Sequence, residues 1–302
     1  MIQNISLLTH LRHQLVPWRW VVGMAIATGT ISVSASPLTA QTLALPSSGR
    51  WLEVQQINGG VIYHGTRQTR DARIGDRILQ IDEGVDTETL SASVLAFDSN
   101  IGTVRVAEST RLRVRRMDLL PDGGRVTSLV VDQGRARLQV RRFTHPSSHL
   151  EIETPAGVAA VRGTTFDVNV GDTGKTAVAT ATGSVEVSAQ DVTVFVNPGF
   201  VTSIIPGEPP TPPRRIDRQL RLGIEHIRRT NSQIVLRGRV DPVNTVQVNG
   251  NPVRIEEDGS FRLTLRNSPL EYAGSEHLTV IVHNPLEETR TYQVAIPGFR
   301  ER

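Results

Sequence analysis

Thr154-Pro-Ala-Gly-Val-Ala-Ala-Val-Arg-Gly-Thr-Thr-Phe-Asp-Val168, followed after a short break by Lys175-Thr-Ala-Val-Ala-Thr-Ala-Thr-Gly-Ser-Val-Glu-Val187, decides the fold. Apolar residues fall on alternate positions and a Gly interrupts each run, the pattern of strands joined by tight turns. Backbone turning and packing explain these residues without any reactive group. Gly163 permits a sharp or positive-φ bend, Thr164 and Thr165 can bond to nearby backbone, and Phe166 is expected to pack inward. Arg162, if buried, needs a carboxylate or carbonyl partner, with Glu153 and Asp167 the nearest candidates in sequence.

Working outward, the same short alternating pattern continues in both directions and almost nothing reads as helix. Trp51 to Ile57 and Val61 to Tyr63 flank Asn58-Gly59-Gly60, a hairpin signal. Further strands are expected at Arg77 to Ile81, Ser93 to Phe97, Gly102 to Val106, Arg111 to Arg115, Arg125 to Val131, Ala136 to Arg141, His149 to Glu153, Phe166 to Val170, Thr176 to Thr180, Ser184 to Ser188 and Val192 to Val196. Gly-punctuated strands of this kind suit a rolled β-sandwich or a short β-solenoid, and their spacing does not choose between the two.

Ile205-Pro-Gly-Glu-Pro-Pro-Thr-Pro-Pro213 breaks the chain. Proline at this density belongs in neither a sheet interior nor a helix and predicts a stiff, extended linker. The expected organisation is a signal peptide over 1–40, a β domain over 50–205, the Pro-rich linker over 206–213 and a second β domain over 214–299. In the second, Leu220 to His226 and Gln233 to Val240 read as strands, Asn249-Gly250 and Asp258-Gly259 as turns, and Ser260 to Arg266, His277 to His283 and Thr289 to Ile296 as the remaining strands. Six or seven short strands in this span predict an immunoglobulin-like sandwich, so the fold class is all-β throughout.

Residues 1–40 hold no Asp or Glu, carry Arg12 and Arg19, run through an apolar stretch over 21–33 and leave through Ser34 to Ala40. That is the order of a secretory signal peptide, with Ala35 and Ala40 as cleavage positions and an uncleaved anchor as the alternative. Removing it takes Lys+Arg from 33 to 31 against 30 Asp+Glu, a mature charge of +1. A nearly neutral chain has no field to hold a polyphosphate, so no nucleic-acid partner is expected. Lys175 is the sole lysine, and the Arg-flanked strands 111–116 and 135–142 read as solvated faces. With no cysteine there is no disulfide framework, thiol nucleophile or thiolate metal site.

The search for chemistry finds little. Gly171-Asp-Thr-Gly-Lys-Thr176 lacks the first glycine of a phosphate loop, since residue 169 is Asn, and a strand follows it where a helix is required; it reads as a β-turn. His145 and His149 share i,i+4 spacing, but Pro146-Ser-Ser between them argues for a loop. The acidic run Asp82 to Glu88 lacks the ligand spacing of a calcium loop. No Gly-x-Ser-x-Gly elbow surrounds a serine, and no carboxylate pair stands out. We expect no enzyme, no catalytic residue, no metal site and no cofactor.

The wording Thr154-Pro155, Val161-Arg162-Gly163-Thr164, Phe166 and the later Gly183-Ser-Val-Glu-Val resembles the FecR family of extracytoplasmic sensing and regulatory domains. Gly-Arg-Val-Asp-Pro-Val-Asn at 238–244, with Asp258-Gly-Ser-Phe261 after it, is similar to the small Ig-like (glucodextranase-B-like) modules of bacterial envelope and carbohydrate-active proteins. These resemblances imply an exported protein of the periplasm or cell envelope that binds a protein or glycan partner. The family commonly controls a sigma factor through a cytoplasmic N-terminal portion, and the roughly 20 residues before the apolar run here are too few for such a domain. The expectation is a non-catalytic envelope binding or sensing protein, with a structural, cell-wall glycan-attachment role and a membrane-anchored signalling role as alternatives.

Overall fold

The computed structural model describes residues 49–230, 232–266 and 277–297; the predicted signal segment lies outside them. Strands are the dominant element of the described residues, with one short 3-10 turn at Asp98–Asn100 as the sole helical piece among them, so the fold class is all-β. In chain order the strands are β1 (Leu52–Asn58), β2 (Val61–His64), β3 (Thr69–Asp71), β4 (Arg77–Ile78), β5 (Gly84–Thr87), β6 (Ala92–Phe97), β7 (Gly102–Val106), β8 (Arg111–Leu119) and β9 (Arg125–Val140). They continue with β10 (His149–Glu153), β11 (Val158–Val161), β12 (Thr165–Val170), β13 (Thr176–Thr182), β14 (Val185–Ala189), β15 (Val192–Val196), β16 (Phe200–Ile204) and β17 (Arg214–Arg215).

These pair into two layers that share β9. One layer runs β4-β1-β6-β7-β9-β12-β13-β16-β17. The other runs β3-β2-β5-β8-β9-β10-β11-β14-β15. Only β9 against β10 is parallel among these pairs. Beyond β9 the hairpins alternate between layers: β10–β11 in the second, β12–β13 in the first, β14–β15 in the second, β16–β17 in the first. The architecture is therefore a two-layer sandwich wound by a coiling chain path.

The sequence pattern supplies the core. Leu129 and Val131 face inward in the first half of β9 and Ala136, Leu138 and Val140 in the second, so the inward parity changes from odd to even at Gly134 (φ 88°). Phe166 is the largest fully buried side chain and packs with Leu52, Leu95, Leu112, Leu150 and Ile152. Each of these contributes about 1.5–3 kcal/mol through removal from water. A buried ion pair closes one end: Arg50, just ahead of β1, sets Nη2 3.1 Å from Asp98 Oδ1 and donates through Nη1 to Val126 O at 2.9 Å.

The second group of strands is β18 (Gly223–Arg229), β19 (Gln233–Arg239), β20 (Thr245–Val248), β21 (Asn251–Val253), β22 (Ser260–Arg266), β23 (His277–His283) and β24 (Thr289–Ala295). One sheet runs β18-β19-β22 and the other β21-β20-β23-β24. Ile234, Leu236 and Phe261 from the first meet Val246, Val248, Leu278, Val280 and Val282 from the second in one core.

Four expectations need correction. Asn58-Gly59-Gly60 does not close a hairpin: it carries the chain from β1 in one layer to β2 in the other, and β1 pairs with β4 and β6 instead. Gly134 does not separate two strands but bends one 16-residue strand between layers. The strand expected from Leu220 starts at Gly223, because Leu220 takes a positive φ of 50° and buries its side chain in the C-terminal core. The Pro-rich segment is not a plain linker either, since it turns once and then runs back along β16. It turns through Glu208 N donating to Ile205 O, Thr211 N donates to Ser203 O at 2.9 Å, and Arg214–Arg215 pair with Val201–Phe200.

Candidate functional site

The signature residues all serve the β10–β14 region. Thr154 opens a tight turn in which its Oγ1 accepts from Gly157 N at 3.2 Å and its backbone N donates to Gly157 O at 2.9 Å, with exposed Pro155 fixing the turn. Val161 and Phe166 are core. Thr164 is buried and donates through Oγ1 to Ser184 O at 3.1 Å. Gly163 (φ 136°) and Gly183 (φ 76°) lie against each other: a Cβ on Gly183 would meet Gly163 O at 2.8 Å, and one on Gly163 would overlap the Arg142 backbone. Arg162 is exposed and reaches His145 O at 3.3 Å, so neither Glu153 nor Asp167 is its partner.

Asp167 belongs to a different constellation, on the outer face of the first layer. Phe166, Val168 and Val170 point into the core, so Asp167 and Asn169 point out. Register places Asp167 opposite Arg137 and diagonal to Arg135 on β9. Arg135 Nη2 lies 3.1 Å from Asp167 Oδ1, and Arg137 Nη1 3.6 Å from Oδ2. The same two arginines reach the C-terminal sheets. Arg135 Nη2 donates to Pro285 O at 2.7 Å, and Arg137 Nη1 lies 3.1 Å from Glu287 Oε2.

Beside this ionic cluster the outer face is deliberately small and apolar: Ala177, Ala179 and Val201 pack with Ile216, Val243 and Leu286. Val243 and Leu286 come from two loops of the C-terminal group, and alanines on the sheet let them approach. The loops thus bury Asp167 completely (0% exposed). Burial raises its carboxyl to about 6; Arg135 and Arg137 pull it down, and Glu287 pushes it up. Desolvation therefore outweighs two guanidinium neighbours.

A cleft of about 1200 Å³ opens along this junction, lined by Arg105, Glu108, Arg135, Lys175, Asn244 and His283 among others. Gln247 Nε2 bridges it to Glu108 Oε1 at 2.9 Å, and Lys175 Nζ to Glu257 O at 3.1 Å. Burial lowers the Lys175 ammonium below its ordinary value. Burial, and then Arg135, lowers His283 in the same way. Arg135 and Arg137 are thus not the solvated face that their Arg-flanked strand suggests but are held by Asp167 and a C-terminal loop. The signal available was Asp167, a charge within a strand that otherwise alternates apolar residues with Thr and Asn.

The other candidates are absorbed by their neighbours. Burial raises Glu83, but hydrogen bonds from Leu79 N, Thr66 and Gln80 N outweigh it and hold its carboxyl below the usual range. Asp86 pairs with Arg113 at 2.6 Å and with His64 at 3.0 Å. His149 opens β10 beside Glu151, while His145 stays in the preceding loop. Gly171 to Lys175 forms a hairpin turn in which Gly171 N donates to Lys175 O. Among the described residues no cluster of three metal-ligating side chains occurs, and no helix is long and apolar enough to cross a membrane.

Residues 84–186, about a third of the chain, match the family described as FecR protein. No curated protein matches. Two crystal structures from Parabacteroides distasonis ATCC 8503, each titled a "putative anti-sigma factor", are similar to this chain, both with a TM-score of 0.37. One is 16% identical, and the match covers 43% of this chain and 58% of that one; the other is 14% identical and covers 70% and 98%.

Proposed function

We propose that this is a non-catalytic sensing and regulatory protein of FecR type, exported to the cell envelope, where its β layers bind a protein partner and its C-terminal sheets act as an attached Ig-like module. The observation that carries the reading is the span of the family match. It starts at Gly84, the first residue of β5, and ends at Glu186 in β14, so it takes in β9 and its neighbours in both layers. A resemblance confined to one hairpin would say little; one that spans the strand on which both layers are built supports a shared domain. Function in such a domain rests on surfaces rather than on the fold itself.

The test is in-cell crosslinking of the tagged full-length chain, followed by recovery from separated envelope fractions and sequencing of its N-terminus. A mature N-terminus and one specific envelope protein in the crosslinked product are expected. Recovery with cell-wall glycan alone would replace this reading with a structural one, and an intact N-terminus would replace export by membrane anchoring.

A further inference from the structure

The free edges of the sheets are not alike. A sheet edge presents unpaired backbone N–H and C=O groups, and proteins blunt such edges with charge, proline, a bulge or extreme shortness. Among the described residues nearly every edge is blunted. β3 is Thr-Arg-Asp, β4 and β17 are two residues long and carry Arg, and β21 contains Pro252. β18 has a bulge between Ile224 and His226, β22 carries Arg262 and Arg266, and β24 carries Arg290.

β15, Val-Thr-Val-Phe-Val, has none of these features. It pairs with β14 in unbroken register on one side only, and the Gln190-Asp191 turn with both φ values positive holds the two strands as a tight hairpin. Phe195 is 62% exposed and Val192 42% exposed. Val194 and Val196 face the core while Thr193 and Phe195 face outward, so the strand keeps a strict two-sided alternation to the edge.

We propose that β15 is a self-association edge: a second copy of the chain pairs with it antiparallel, β15 against β15, about a two-fold axis at Val194. An edge able to accept a foreign strand accepts its own copy unless charge forbids it, and this strand carries no charge to repel itself. Centring on Val194 pairs all five residues. Val192 then lies opposite Val196 of the second copy, extending the inner apolar face, and Phe195 opposite Thr193 on the outer face. A two-fold contact of this kind is closed, so it stops at a dimer rather than a fibre. The inference is independent of the functional reading above.

The test is sedimentation analysis of the purified chain as recovered from cells, against Phe195→Lys and Val194→Cys. The wild type is expected to be a concentration-dependent dimer, and Phe195→Lys to weaken it by about tenfold or more, as a charge on a pairing edge should. Directly opposed antiparallel residues lie within disulfide range, and the chain has no other cysteine, so Val194→Cys should form a reductant-sensitive covalent dimer. A wild type that stays monomeric overturns the proposal. So does a dimer in which Val194→Cys fails to crosslink, whether or not Phe195→Lys folds.

Discussion

Arg135 is bonded to Asp167 on the neighbouring strand and, through the same Nη2, to the carbonyl of Pro285 about 150 residues away. One guanidinium thus ties the first layer's outer face to a loop of the C-terminal sheets. The carboxylate it faces is buried completely and raised to about 6 by that burial. This makes the junction sensitive to protons.

The sign follows from linkage. The folded state holds the Asp167 proton more tightly than the unfolded chain, whose carboxyl titrates near its ordinary value of 3.8. Its contribution to stability is therefore full below that value and is lost as pH rises through about 6. His283 in the same cleft has a lowered pKa and the opposite sign, favouring the fold above its ordinary range. Comparing the wild type with Asp167→Asn at matched pH removes the His283 contribution to first order. Relative to that variant, the wild type should lose on the order of 1–3 kcal/mol of unfolding free energy between pH 4 and 7. Denaturant titrations at several pH values measure this, and parallel curves for the two proteins would contradict it.

The apolar half of the junction should be separable from the ionic half. Leu286 is packed among Ala177, Ala179, Val201, Ile216 and Val243, and Leu286→Asp places a charge there without touching either core. Loss of docking loosens β17, whose Arg214 is held by both oxygens of Asp241. Trypsin should then cut after Arg214 or Arg215 several-fold faster than in the wild type, while the released C-terminal fragment resists further digestion. Unchanged cleavage would show that the arginine cluster alone holds the junction.

Core truncation gives a reference scale. Phe166 has no exposed surface and sits on β12 between β9 and β13, opposite Leu138 on one side and Thr180 on the other. Phe166→Leu should cost about 1–2 kcal/mol and Phe166→Ala about 3–5 kcal/mol, read from denaturation midpoints at constant slope.

Much of the strand content was legible because period-two alternation is a local signal: β10, β12, β13, β14 and β15 fall on expected strands, whereas β11 and β16 were not among them. Layer membership was not. Asn58-Gly59-Gly60 is a far stronger turn signal than Gln190-Asp191, yet the first moves the chain between layers and the second closes a hairpin. The difference lies in which distant strands are available to pair, and no local residue records it. Asp167 shows the same limit. It stands 32 residues from Arg135 in sequence, and only the antiparallel register of β9 and β12, together with burial by loops from the far end of the chain, makes Asp167, Arg135 and the Pro285 carbonyl one cluster.

The signature glycines provide the sharpest test of what that motif is for. Gly163 and Gly183 both take positive φ, and each occupies space that a methyl group would need to share with backbone: Arg142 for one, the Gly163 carbonyl for the other. A substitution therefore meets backbone strain and overlap together, and backbone atoms cannot swing aside as a flexible side chain can. Gly163→Ala and Gly183→Ala should each destabilise by about 2 kcal/mol or more, whereas Arg162→Ala, at an exposed side chain with one 3.3 Å bond to a carbonyl, should cost under about 0.5 kcal/mol. Because the two glycines are in contact, the double substitution should cost less than the sum, as a single local displacement relieves both. Thermal and denaturant unfolding of the four variants decides this. Should Arg162→Ala instead abolish partner capture in cells while leaving stability intact, the motif's arginine would be a contact residue set on a glycine frame.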